Sequence, residues 1–124
     1  MAKGPATGQR KVSKARAGLP KRTVIPPDAI EAILRFVDQF VPPGSTEVWL
    51  TGSRAKGLAR PDSDWDVVAF HHAVSKRPED LFKANQHGAH PHGGEIELVI
   101  AHPEHWNDTR QYMSDLRTHG IRLR

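Results

Sequence analysis

The sequence predicts an α/β fold, a small mixed sheet that carries acidic side chains on one face with helices packed mainly on the other. Three observations lead there. Short apolar runs suited to strands stand at residues 47–51, 65–70 and 95–100; stretches with helical spacing of apolar residues flank them; and Pro, Gly, Asn and Ser punctuate the connections. A chain of 124 residues, 37% hydrophobic and 26% charged, is long enough for one domain with a modest core and short for two. It has no cysteine, which excludes disulfides and thiolate metal sites and fits a reducing compartment. No apolar run is long enough to span a bilayer, and the first residues lack a signal-peptide core. A soluble, cytoplasmic protein without a membrane partner is expected.

The net charge of +4 is unevenly placed. Residues 1–22 hold seven basic side chains (Lys3, Arg10, Lys11, Lys14, Arg16, Lys21, Arg22) and no acid, which leaves 11 basic and 14 acidic side chains, a net −3, for residues 23–124. Poor in large apolar residues, residues 1–22 read as a disordered basic tail and residues 23–124 as the folded domain. Such a tail suits binding of nucleic acid or an acidic partner by counterion release, or is a solvated extension.

After Pro26-Pro27, Asp28 is placed to cap a helix running to about residue 40, with Ile30, Ile33, Leu34, Val37 and Phe40 as its apolar stripe. Pro42, Pro43 and Gly44 stop it and lead to the strand at residues 47–51. Gly52 breaks that strand, and Ser53 is the expected N-cap of a short helix over residues 54–59. A connection over residues 60–63 leads into the second strand. Pro78 opens a short helix to Lys83 with Leu81 and Phe82 facing inward, and residues 85–94 read as a Gly/Pro-rich loop. The third strand follows. Asn107 caps a last helix to His119, apolar at Tyr112, Met113 and Leu116 and closed by Gly120, before residues 121–124 alternate as an edge strand.

The chemistry concentrates between residues 48 and 70. A glycine at a strand end lets the chain turn sharply and lets a bulky anion approach the backbone. Ser53 adds a hydroxyl and unpaired N–H groups at a helix start, which suit phosphate. Asp64 and Asp66, two apart on a strand, leave the same face with Cα atoms roughly 6–7 Å apart. Two such carboxylates repel, and a hard divalent cation bound to substrate phosphates relieves them. Asp66 also lies within an apolar run, where an unpaired charge is expensive to bury. His87, His90 and His92 invite a zinc or nickel site, against which stand the absence of cysteine and of an orienting helix.

Gly52-Ser53, ten intervening residues, Asp64-Trp65-Asp66 and the apolar Val67-Val68 together resemble the core signature of the polymerase-β-like nucleotidyltransferases, and within them the small minimal nucleotidyltransferases. The resemblance covers residues 24–124. It implies the polymerase-β-like nucleotidyltransferase fold and Mg²⁺-dependent transfer of a nucleoside monophosphate, by default AMP from ATP, to a hydroxyl acceptor. Asp64 and Asp66 are then the catalytic, metal-holding acids, with a third acid on a later strand and two Mg²⁺ in all. Glu97, in Ile-Glu-Leu-Val, matches the third position, where most minimal members carry Asp; Glu95 is the alternative. Gly52, Ser53, Arg54 and Lys56 are the expected triphosphate-binding residues.

Minimal members often act as antitoxins that adenylylate a HEPN-type toxin protein, so the resemblance implies such a partner beside the nucleoside triphosphate, with an oligomer mate as another source of acceptor site. A small-molecule, aminoglycoside-type nucleotidyltransferase is the alternative within the class. A non-catalytic nucleotide- or nucleic-acid-binding module is the alternative outside it.

Overall fold

The computed structural model describes residues 24–42 and 46–124, and the tail expected over residues 1–22 lies outside them. Five strands form one mixed sheet in the order β3-β4-β2-β1-β5. The strands are β1 (Glu47–Thr51), β2 (Trp65–Phe70), β3 (Gln86–Ala89), β4 (Glu95–Ala101) and β5 (Ile121–Arg122). The helices are α1 (Pro27–Val37), α2 (Gly52–Lys56) and α3 (Gln111–His119), with 3-10 turns at Pro78–Asp80 and Pro103–Asn107. β2 runs parallel to β4; the β1–β2, β3–β4 and β1–β5 pairs are antiparallel. Among the described residues no helix is long and apolar enough to cross a membrane.

The alternation of each strand divides the core in two. Val48 and Leu50, Trp65, Val67 and Ala69, and Ile96, Leu98 and Ile100 face α1, which buries Ala29, Ile33 and Val37 against them. The opposite set, Val68, Phe70, Val99 and Ala101, meets Met113 and Leu116 of α3, with Leu81 completing the cluster. The fold class is the expected one, but the helices divide between the faces. α3 shares the face that also carries Asp66 and Glu97, and it covers the part of that face where strand residues turn apolar.

Several element boundaries differ from expectation. Asp28 does not cap α1: Pro26 holds the N-cap position and Pro27 opens the first turn, where a missing N–H is harmless. The Asp28 carboxylate instead meets His92 Nε2 at 3.0 Å. The helix ends at Val37, so Phe40 sits in the following turn, 40% exposed and against Phe36. The expected helix from Pro78 is a single 3-10 turn, because Leu81 is extended and Phe82 has φ +77°. Leu81 is buried and Phe82 half-buried. Residues 86–89, expected as loop, pair with β4 as an edge strand. Asn107 ends a 3-10 turn rather than starting α3, whose N-cap is Arg110.

The terminal strand is tied down on both sides. Val48 N–H donates to the Arg124 carbonyl, Leu123 N–H donates to that of Val48, and the Arg124 guanidinium lies 3.0 Å from Asp38. Ile33 is the centre of the α1 stripe and fully buried. Ile33→Ala is expected to destabilise the domain by about 2–5 kcal/mol, read as a lower urea midpoint at unchanged slope.

Candidate active site

β1 delivers the chain to Gly52, whose φ of +72° turns it away from the sheet. A Cβ there would stand 2.2 Å from Asp66 Oδ2, so the position excludes a side chain both by its backbone and by the carboxylate beside it. α2 follows for five residues and stops at Gly57 in the left-handed region. Ser53 is half-buried inside its first turn, not at its N-cap, which is Thr51. The Ser53 carbonyl accepts from the N–H groups of Gly57 and Leu58, closing the short helix.

Register then sets a row of side chains across the sheet. Thr51 is opposite Asp66, Asp66 opposite Glu97, and Glu97 opposite His87, and opposed residues leave the same face. Neighbouring strands lie about 4.7–4.9 Å apart, so the row is tight. Asp64 stands one residue ahead of β2 rather than in it. The Glu97 carboxyl is held above its usual range, first by hydrogen bonding with Asp64, then by burial and by the charges of Asp64 and Asp66. Burial, and then the Asp64 charge, push Asp66 up as well.

Glu95 is further out on the same face. It is about half exposed, with Oε1 3.6 Å from His87 Nδ1. Tyr112, at the start of α3, joins the site although its place in the last helix had marked it only as apolar. Burial, then the charges of Asp66 and Glu97, raise its hydroxyl well above the usual range, so it stays a neutral donor. Nothing in helical spacing distinguishes a core tyrosine from one that feels the charge of acids on neighbouring strands. Phe82 packs edge-on against Tyr112 with ring centroids 5.1 Å apart, a contact made from its left-handed backbone.

Arg54 and Lys56, the expected phosphate cations, both have partners within the domain. Arg54 Nη2 donates to the carbonyls of Ser63 at 2.8 Å and Pro61 at 3.1 Å, and its guanidinium lies 4.0 Å from the Trp65 ring centroid. Trp65 stacks on buried His90 at 4.1 Å and donates from Nε1 to the Gly93 carbonyl. Arg54, Trp65 and His90 thus clamp the loop that presents Asp64. Lys56 Nζ lies 3.4 Å from Asp115 on α3. The three histidines of the 87–92 segment do not converge: burial lowers His90, which meets the Ala29 carbonyl, while His92 meets Asp28.

Residues 30–118 match the family model of a nucleotidyltransferase domain. The chain belongs to the nucleotidyltransferase domain family. That span runs from the middle of α1 into the last turn of α3, so it contains every strand except β5 and the whole acid row. No curated protein and no solved structure matches the chain. As a nucleotidyltransferase the protein is an enzyme that transfers nucleotidyl groups and takes a nucleotide substrate, and enzymes of this family work with a divalent metal.

The carboxylate cluster makes stability depend on pH in a definite direction. Asp66 and Glu97 have folded pKa values above the unfolded 3.8 and 4.5, so without metal the fold is penalised at neutral pH and relieved as pH falls through the folded values. Asp66→Asn is expected to raise the melting temperature at pH 7 in the presence of chelator, with the gain over wild type vanishing below about pH 3.8, the unfolded value for Asp.

Proposed function

We propose that this nucleotidyltransferase moves AMP from ATP to a hydroxyl acceptor on a partner protein, using Mg²⁺ held by Asp64, Asp66 and Glu97. The observation that carries this reading is the row that sets Asp66 opposite Glu97 and against Gly52, with the charge of Asp64 raising the proton affinity of both. An all-oxygen donor set of clustered, half-exposed acids fits Mg²⁺, and unrelieved it costs the fold stability. When bound, Mg²⁺ supplies positive charge to the triphosphate oxygens and the leaving pyrophosphate and lowers the pKa of the acceptor hydroxyl.

The chain's own residues supply position. Gly52 lets the Asp66 carboxylate lie against the backbone at the end of β1, and the Ser53 hydroxyl lies next along the chain to donate to the outer phosphates. Tyr112, kept protonated beside the acids, offers a second neutral donor. The acceptor oxygen attacks the α-phosphorus in line, the bond to the pyrophosphate oxygen breaks, and the hydroxyl proton passes to a Glu97 carboxylate oxygen. Arg54 acts at a distance by fixing the carbonyls of residues 61 and 63 ahead of Asp64.

A protein acceptor is favoured by the exposure of Asp64 and Glu95 at the edge of the row. A HEPN-type toxin is the partner the sequence resemblance implies. The test is incubation with α-³²P-labelled ATP and Mg²⁺, with and without such a partner or a lysate of the source. Label is expected on one protein band, reduced at least about 10²-fold in Asp64→Asn and Asp66→Asn and less in Glu97→Asp than in Glu97→Gln. Label on a small molecule would indicate the aminoglycoside-type alternative. Mg²⁺-dependent ATP binding with no transfer to any acceptor would favour the non-catalytic module.

A further inference from the structure

The acid row has a second neighbourhood on its outer side. His87 of β3 stands opposite Glu97 in the antiparallel register, and Glu95 lies two residues before Glu97 on the same face. Ligand atoms of His87, Glu95 and Glu97 all lie within 4.8 Å of one another. His87 and Glu95 are each 53% exposed, so an ion reaches them from solvent. Glu97 meanwhile stands opposite Asp66 of β2 on its other side. One carboxyl group therefore stands between two ligand sets. The inner set is oxygen only; the outer set adds an imidazole.

That difference in donors selects between ions. Mg²⁺ prefers carboxylates, phosphates and water in an octahedral shell, whereas Zn²⁺ accepts one imidazole and two carboxylates with a water in a tetrahedral site. Zn–N and Zn–O bonds of about 2.0–2.2 Å put tetrahedral ligand atoms roughly 3.3–3.6 Å apart. His87 Nδ1 and Glu95 Oε1 are already 3.6 Å apart. Rotation of exposed side chains closes the remainder. The strands beneath them are paired residue for residue, so the ligands are presented by a hairpin rather than by a loop.

We propose that His87, Glu95 and Glu97 form a second cation site that takes Zn²⁺, and that filling it draws Glu97 away from Asp66 and so inhibits nucleotidyl transfer. The inhibition rests on the role given above to Glu97; the site itself does not. His90 and His92, grouped with His87 by the sequence, are engaged with Ala29 and Asp28 and take no part. The device would make the enzyme's activity respond to the ratio of Zn²⁺ to Mg²⁺.

Calorimetry of the full chain with zinc chloride, without nucleotide, reads the site. One Zn²⁺ is expected per chain, bound at least tenfold more weakly by His87→Ala and equally well by His92→Ala. Equal binding by His87→Ala and wild type would overturn the site. In the Mg²⁺-supported labelling reaction, His87→Ala is expected to match the wild-type rate and to resist zinc concentrations that halve it. Equal inhibition of both proteins would overturn the coupling through Glu97. Absence of labelling with Mg²⁺ alone would count against the proposed reaction, while the His87→Ala calorimetry still decides the zinc site.

Discussion

The close approach of the Asp66 carboxylate to Gly52 is the constraint on which the rest of this structure depends. It requires a residue without a Cβ at a positive φ where β1 ends, and it requires β1 and β2 to keep a register that puts Thr51 opposite Asp66. Parallel pairing of β2 with β4 then adds Glu97 to the same row. Three carboxyl groups in so small a space oppose one another, and burial of Asp66 makes it worse. The fold holds them by packing both faces of the sheet: α1 seals the far face, and α3 seals the apolar half of the near one.

Held in this way, the acids carry unfavourable electrostatic energy, which the proposed divalent cation would relieve. This is the usual relation between a stable scaffold and a strained site, with the site drawing on stability supplied elsewhere. The supporting interactions are correspondingly specific. Arg54 is engaged by two backbone carbonyls and an indole face, contacts that tie α2 to the loop before Asp64.

The most legible part of the sequence was the part governed by local rules. Residues 47–51 and 65–70 form strands with the expected bounds, because apolar runs between a proline-rich stop and glycine leave few alternatives. Glu97 stood out as an acid amid apolar residues, and the strand around it formed as expected, extended by Ala101. What escaped was set by tertiary partners. β3 contains Gln, His, Gly and Ala, has no apolar alternation, and exists because β4 offers it an edge. α3 begins late because His102 and His105 cap a 3-10 turn that the sequence does not announce. Arg54 and Tyr112 found their roles through long side chains reaching across elements, and no spacing rule encodes that.

The central claim is that Asp64, Asp66 and Glu97 together hold a divalent cation against the phosphates of a nucleotide at the Gly52 turn. A crystal structure with Mg²⁺ and a non-hydrolysable ATP analogue tests it most directly. The account predicts metal density between these three carboxylates, with the triphosphate running past Gly52 and Ser53. Nucleotide bound elsewhere, or bound here with no metal between the acids, would contradict it.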